Sequence, residues 1–503
     1  MDIEQYRPVV GAWERFLDAS RREEPVTLRV HTGRTRPEEL RARLEALGFR
    51  LEPVPGLPAF LRVLDQPYPL SRTLEHWLGL FYLQQAVTGV APLALGAAPG
   101  ERILDLCAAP GGKTAHLADL VGEKGMVVAS DRSGKRIRAL LGNLYRMGHA
   151  SVMVLEADGR SFPGGVSFDR VLADVPCSAE GNLRRSGGAL PRRSPRFLHR
   201  ITAVQEALLR RAVDLARPGG QVLYVTCTFS PEENERVVAR VLADLPVSVE
   251  PIALDLPHDP GLARFGGDSF PAELRHAWRL YPHHLNSGGL FMALLLKEEE
   301  PTAASPAPAE GWGEPPLVHP EDPDAREEAG RVVEAGLARL AQWTGVARER
   351  LEGERWMVRG DSIWVHGCRS WPLDAWEGQG PAPDWQFVSA GLRAFRLGRS
   401  GPPVPTNDLL RRLGPALRDR VVHLERGSWV EMLERGGIAL PGTGDGYVAL
   451  ALEGVVIGRG RARSGRLVSE IPRAQAHFLV RALDPSPVGS GDPGGSVAPV
   501  GGV

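Results

Sequence analysis

Leu104-Asp105-Leu106-Cys107-Ala108-Ala109-Pro110-Gly111-Gly112-Lys113-Thr114 is the end of a hydrophobic run, a Pro-Gly-Gly turn and the start of an amphipathic stretch continued by Leu117, Leu120 and Val121. Glycines let backbone N–H groups come close to a ligand, and the N-terminus of a following helix favours polar or anionic groups. The Gly-Lys-Thr ending invites comparison with an ATP phosphate loop. That motif needs a glycine five residues before its second Gly, and Cys107 stands there. A nucleotide-containing cofactor of another kind remains.

The next apolar runs indicate which kind. A second strand pattern over 126–130 ends at Asp131, 26 residues past Asp105, where doubly wound sheets place the acid that takes ribose hydroxyls. A third, 152–155, leads to Asp158, a candidate for the adenine amino group. A fourth, 170–173, ends in Asp174-Val175-Pro176-Cys177-Ser178, and a fifth, 221–225, in Thr226-Cys227-Thr228. All these polar groups lie just past the carboxyl end of a strand, where open α/β sheets bind ligands. The pattern is an S-adenosylmethionine-type crevice with two added cysteines. Asp131 has an alternative reading as a cap for a helix beginning near Ser133, and Asp158 as a turn aspartate.

Composition bounds the rest. At 503 residues the length suggests about three domains, and 43% hydrophobic with 24% charged residues is ordinary for a soluble protein. No apolar run approaches the roughly 20 residues of a membrane span, and the first residues are no signal peptide, so a cytoplasmic location with no membrane partner is expected. Four cysteines without a Cys-x-x-Cys pair argue against a disulfide framework and against a metal site. Net charge is −1, so nucleic-acid contact must come from local patches. Only Lys113, Lys124, Lys135 and Lys297 are lysines among 60 basic residues, which makes a compact ammonium in the ligand loop informative.

Along the chain, 1–70 reads as a small unit with helices over 4–19 and 37–47 around a strand at 27–30. Residues 71–297 alternate strand and helix patterns, as an α/β parallel sheet with covering helices does. Residues 298–324 read as a Pro-, Ala- and Glu-rich linker, 325–403 as a small α/β domain, 404–483 as a compact β-barrel unit with a short helix capped by Ser428, and 484–503 as a disordered tail.

The motifs at 106–114, Asp174-Val175-Pro176-Cys177-Ser178-Ala179-Glu180-Gly181 and Thr226-Cys227-Thr228-Phe229-Ser230-Pro231-Glu232-Glu233-Asn234-Glu235 resemble those of the Sun-type RNA 5-methylcytosine methyltransferases. The order of the flanking units is similar to the bacterial 16S rRNA cytosine methyltransferase F group. The resemblance implies a Rossmann-like S-adenosylmethionine-dependent methyltransferase domain between an N-terminal RNA-binding unit and a C-terminal PUA-like RNA-binding domain. It implies Cys227 as nucleophile, Cys177 in adduct breakdown, Asp174 on the cytosine N3/N4 edge and Lys113 in support of the pocket. It places the donor against Cys107, Ala108, Ala109, Pro110, Gly111, Gly112 and Lys113, with Asp131, Asp158 and Asp174. The implied partner is 16S rRNA or the 30S subunit. The same chemistry on tRNA, and a non-catalytic assembly factor, are the alternatives.

The residue types suit that chemistry. Cytosine C5 is a poor nucleophile, and a thiolate adding at C6 turns the ring into an enamine. A free thiol is only about 3% ionised at pH 7, so its site must stabilise the anion. Ser230-Pro231-Glu232-Glu233 has the cap, first-turn proline and N3 glutamate of a helix start close to Cys227. Cys107 and Cys368 read as packing residues. The segment 181–205 carries Arg184, Arg185, Arg192, Arg193, Arg196, Arg200 and His199 without an acid before Gln205: either a grip on RNA backbone or a solvated loop. Trp356, Trp364 and Trp371 read as core residues before base-stacking ones.

Overall fold

The computed structural model describes residues 3–187, 190, 193–298, 326–352, 354–367, 385–398 and 401–484. Apart from Glu298 and Asp484, the expected linker and tail lie outside the described residues, as do Arg192, Cys368 and Trp371.

A ten-stranded sheet forms the centre. From one edge its strands are Asp259–Pro260, Trp278–Leu280, Leu290–Lys297, Ala216–Thr226, Phe168–Asp174, Arg102–Asp105, Met126–Asp131, Val152–Ala157 and Trp385–Ala390, with Val247–Glu250 also pairing to Leu290–Lys297. The five strands from Ala216–Thr226 to Val152–Ala157 are parallel, and Leu290–Lys297 runs antiparallel beside them. Their near-continuous apolar sequences follow from burial on both faces: every residue of Met126–Asp131 is buried. The chain first winds outward from Arg102–Asp105, then returns to Phe168–Asp174 on its other side. The crevice at the carboxyl ends of those two strands is the topological switch point.

The first unit is a four-stranded antiparallel sheet, ordered Arg50–Val54, Leu57–Asp65, Thr27–Val30, Phe81–Leu83. Its last strand lies past residue 70, because Phe81 and the strands before it share one apolar cluster with Leu28 and Leu61. The helix expected over 4–19 is instead a 3-10 turn, Ile3–Tyr6, and a helix, Trp13–Arg21. Pro8 supplies no N–H and Gly11 is a poor helix former, so the helix starts after them. Tyr6, Trp13 and Phe16 pack against Leu183, Phe229 and Tyr281 of the central domain.

Trp385–Ala390 joins the large sheet by pairing antiparallel with Val152–Ala157. It covers what would otherwise be an exposed edge strand. The span 325–403 therefore divides between the large sheet and a separate four-stranded one, Arg355–Arg359, Ser362–His366, Leu392–Arg396 and Val404–Pro405. Trp364 is buried there with Arg393 over its ring, and Trp356 donates to the Leu351 carbonyl. The last unit has five strands, ordered Val421–His423, Gly446–Leu452, Val455–Arg463, Arg466–Ser469, Ile438–Ala439. Its helix Arg426–Arg435 starts after Glu425, so Ser428 lies inside the first turn rather than capping it. Among the described residues no helix is long and apolar enough to cross a membrane.

Candidate active site

The 106–113 loop is fixed at both ends. The Thr114 hydroxyl donates to Asp105 Oδ2 at 2.7 Å, below the loop. Ala108 N–H donates to the Ser130 carbonyl at 2.8 Å, and Ala109 N–H to Asp131 Oδ2 at 3.3 Å. Asn143 Nδ2 holds the Pro110 carbonyl at 3.1 Å, and the Ala109–Pro110 peptide is cis. Gly111 has φ +104° and would place a Cβ 2.7 Å from Leu140 Cδ1, so only glycine fits at the mouth of helix Gly112–Val121. Cys107 packs on the main core, and burial first of all pushes its thiol well up.

Asp105 has a testable pH signature. Burial pushes its carboxyl up to about 7, against the opposing Thr114 hydrogen bond. An unfolded aspartate titrates near 3.9, so between about 4 and 7 the folded chain keeps a proton that the unfolded chain has lost. Stability from this group is full below that window and is lost as pH rises through it. Asp105→Asn cannot ionise, so its melting advantage over the wild type should widen from pH 5 to pH 8, by up to about 3 kcal/mol. A gap that stays constant in thermal melts at the two pH values would contradict the assignment.

Asp131 lies at the end of the second strand, 3% exposed, facing the Arg136 guanidinium at 3.1 Å. Its Oδ1 also accepts from Ser133 N–H at 3.0 Å, while Ser133 itself caps the helix Gly134–Met147. The cap of that helix is therefore Ser133 and not Asp131, whose carboxylate braces Ser133 from the strand end before it. Asp158 caps the turn Gly159–Ser161 and pairs with Arg160 at 2.6 Å, yet its side chain keeps 28% exposure. Hydrogen bonding to Arg160 holds its carboxyl below the usual range. It lines an open depression with Arg132, Glu156, Ala157, Arg160 and Ser161, at the carboxyl ends of the second and third strands.

The two cysteines from separate strand ends converge. Cys177 Sγ and Cys227 Sγ are 3.3 Å apart, both free thiols. The Cys177 thiol is pushed well up, first by its hydrogen bond to Cys227 and then by burial, so it stays protonated and can donate to its neighbour. Asn182 Nδ2 lies 3.9 Å from Cys227 Sγ. Lys113 Nζ donates to Asp174 Oδ2 at 2.7 Å, across the gap between the glycine loop and the fourth strand. Burial alone would lower the Lys113 ammonium, but Asp174 and then Cys227 outweigh it and hold it charged. Two thiols, an ammonium and a carboxylate thus share one side of the switch point.

Behind the thiols lies a buried polar network. The hydroxyl oxygens of Ser178 and Thr228, each one residue past a cysteine, lie 2.7 Å apart. Glu233 accepts from the Ser178 hydroxyl at 2.6 Å, from Ser178 N–H at 2.9 Å and from Gln205 at 3.0 Å. Glu180 accepts from the Thr228 hydroxyl at 2.8 Å, Phe229 N–H at 3.2 Å and the Tyr6 hydroxyl at 2.5 Å. Gly181 N–H donates to the Cys227 carbonyl at 2.8 Å, in a contact so tight that a Cβ on Gly181 would lie 2.2 Å from the Gly289 oxygen.

Two expectations change here. The helix after Cys227 spans Glu235–Asp244, four residues later than the Ser-Pro-Glu-Glu pattern suggests. Glu233 is drawn into the network instead of capping the first turn, so no helix N-terminus faces Cys227 at residue 230. In the arginine-rich segment, Arg184 is 7% exposed and donates to the carbonyls of Arg22, Glu23 and Ser287 and to Asn286. Arg193 is likewise internal, whereas Arg196 and Arg200 are exposed on the helix Pro195–Leu215. Glu180 and Glu233 stood inside the cysteine motifs and could have been flagged as buried acids; Tyr6, 174 residues from Glu180, carried no signal.

A cavity of about 940 Å³ opens at the far end of helix Gly112–Val121, away from the thiols. On its wall His31 Nδ1 lies 2.9 Å and His149 Nε2 3.8 Å from Asp119 Oδ1, and the same carboxylate is ion-paired with Arg29. These contacts join Arg29 and His31 of the first unit to helix Gly112–Val121.

The family model for the 16S rRNA methyltransferase RsmB/F matches residues 92–296, and a model for the RsmF/B-like ferredoxin-like domain matches residues 4–71. The chain is similar to ribosomal RNA small subunit methyltransferase F of Klebsiella pneumoniae (strain 342), 32% identical over 70% of this chain and 72% of that one. It is also similar to a 28S rRNA (cytosine-C(5))-methyltransferase of Mus musculus, 33% identical over 68% of this chain and 43% of that protein. The chain spans less than half the length of the eukaryotic relatives it matches. Among solved structures, a methyltransferase homolog protein from Pyrococcus horikoshii aligns with TM-score 0.53 and 30% identity, over 58% of this chain and 93% of that one.

Proposed function

The chain belongs to the RsmB/F family of 16S rRNA methyltransferases, and on that premise we propose that it methylates the 5-position of cytosine in RNA, with 16S rRNA as substrate, through a covalent bond between Cys227 and C6. The observation that carries this reading is the 3.3 Å contact between two free thiols beside the Lys113–Asp174 pair.

S-Adenosylmethionine fits the crevice. Gly111 takes the positive φ that the turn requires, Asp131 ends the second strand where doubly wound sheets hold a ribose, and Asp158 borders an open depression suited to adenine. The loop Cys107 to Lys113 and Asp174 complete the donor's contacts. When bound there it supplies a methyl group made electrophilic by a sulfonium.

The protein's own groups do the rest. Cys227 adds to C6 as a thiolate, with the Cys177 sulfur 3.3 Å away and the Asn182 amide and Lys113 ammonium beside it. Asp174 faces the N3/N4 edge of the base, and its pairing with Lys113 fixes its direction. Once the Cys227 sulfur is bound to carbon it no longer offers Cys177 an anionic acceptor. The chief influence raising the Cys177 thiol is then removed while burial still opposes ionisation, and its proton passes to solvent before the next step. The Cys177 thiolate next takes the C5 proton; the C5=C6 double bond re-forms, and the C6–S bond breaks to return Cys227 as thiolate. A base inside a duplex must first leave the stack, at a cost of a few kcal/mol, so single-stranded or extruded cytosine is the substrate form.

Bisulfite mapping of rRNA and tRNA from a deletion strain tests the proposal. Loss of a 5-methylcytosine in 16S rRNA, restored by the wild-type chain, is the expected result. Loss confined to tRNA would move the same chemistry to another RNA. No lost methylcytosine, together with no donor binding in calorimetry, would leave an RNA-binding assembly factor.

A further inference from the structure

The network behind the thiols has a single cation at its centre. Arg193 Nε makes an ion pair with Glu180 Oε1 at 2.9 Å, Nη1 faces Glu233 Oε1 at 3.5 Å, and Nη2 donates to the Tyr6 hydroxyl at 2.7 Å. Both carboxylates are fully buried, and the arginine side chain is 6% exposed. Glu180 anchors Thr228 and Phe229, which follow Cys227; Glu233 anchors Ser178, which follows Cys177. One guanidinium therefore joins the two loops that carry the sulfurs.

Electrostatics explains why this matters. Two carboxylates buried this close repel, and burial already pushes Glu180 up while Arg193 opposes the shift. Glu180 Oε2 accepts from three donors, the hydroxyls of Tyr6 and Thr228 and the Phe229 N–H, which only an ionised carboxylate does well. Without the arginine's charge Glu180 would take up a proton, and the anchors of Thr228 and Phe229 would weaken. The strand end holding Cys227 would then drift from Cys177. Tyr6, donating to Glu180 and accepting from Arg193, ties the N-terminal unit into the same arrangement.

We propose that Arg193 and Tyr6 are positioning residues for the two-thiol site: the guanidinium clamped between Glu180 and Glu233, braced by Tyr6, sets the separation of the Cys177 and Cys227 sulfurs. Arg193 comes from the arginine-rich segment, and this assigns it to the reacting pair and not to the RNA backbone. The kinetic part of the proposal rests on the methyltransferase reading; the distance between the sulfurs does not.

The test therefore has two arms. In the first, without RNA, Arg193→Lys and Tyr6→Phe are equilibrated with glutathione redox buffers. Each molecule that closes exchanges two thiols and one oxidised glutathione for a Cys177–Cys227 disulfide and two reduced glutathiones. Mass spectrometry reads the fraction closed, at a temperature where circular dichroism shows every variant folded. Lysine keeps the charge but cannot bridge Glu180, Glu233 and Tyr6 together, and phenylalanine keeps the ring. Disulfide formation should fall by roughly tenfold in Arg193→Lys and by less in Tyr6→Phe. In the second arm, kcat for RNA methylation should fall by roughly tenfold or more while KM for RNA stays near the wild-type value. Arg196→Ala is the comparison for an exposed arginine of the same segment. A raised KM with a weaker salt dependence and unchanged thiol pairing would make Arg193 an RNA contact and overturn the proposal. Thiol pairing equal to the wild type in both variants would overturn it as well. If Arg193→Lys does not fold, Tyr6→Phe alone decides by the same readings. A wild-type chain that methylates no RNA would defeat the functional reading, and the redox arm would still decide the positioning role.

Discussion

Cys227→Ala is expected to lower single-turnover methyl transfer to RNA by at least about 10³-fold, some 4 kcal/mol of barrier, with donor affinity unchanged. The reason is positional. Cys227 follows the strand Ala216–Thr226 at the switch point, and its sulfur is in contact with the Cys177 sulfur, beside Asn182 and Lys113. Among the described residues no other thiol in the crevice can replace it. Cys107 packs into the core with its thiol pushed well up, and Cys177 stays protonated while Cys227 is its neighbour. The substitution also carries an internal control. Removing Cys227 removes the largest cause of the raised Cys177 thiol, so Cys177 should be alkylated by iodoacetamide at lower pH in the variant than in the wild type. Radiolabelled methyl transfer and the alkylation profile read the two effects separately. Transfer at the wild-type rate would end the nucleophile assignment; an unchanged alkylation profile would deny the coupling of the thiols.

Much of this site was legible because its signals are local. The loop 106–113 needs glycines and a strand before them, and both are adjacent in sequence. The same holds for a cysteine placed just past an apolar run, which is why residues 177 and 227 could be paired across fifty positions. What failed to be legible depends on tertiary competition. The sequence around Ser230 has good helix-capping chemistry, but Glu233 gains more from the buried Ser178 and Gln205 donors than from an exposed first turn. The arginines of 184–200 look alike in sequence; only the fold separates Arg184 and Arg193, turned inward, from Arg196 and Arg200. Likewise nothing in 385–390 marks it as the partner of Val152–Ala157, since an edge strand is completed by whichever segment reaches it. The N-terminal turn is the extreme case. Tyr6 joins the thiol network through one hydroxyl, and a lone tyrosine near a chain end has no pattern to betray it.

Cys177→Ala should have the opposite signature to Cys227→Ala. Methyl transfer to a first equivalent of RNA should survive, breakdown should slow by roughly 10²-fold or more, and a protein–RNA adduct should persist through denaturing electrophoresis. The loop itself should hold, because Ser178 stays anchored by Glu233 when the sulfur is removed. Time courses of the denaturation-resistant band separate adduct formation from its breakdown. A variant that turns over repeatedly and traps no adduct would remove Cys177 from product release. Adduct trapped by Cys227→Ala instead would exchange the roles of the two sulfurs.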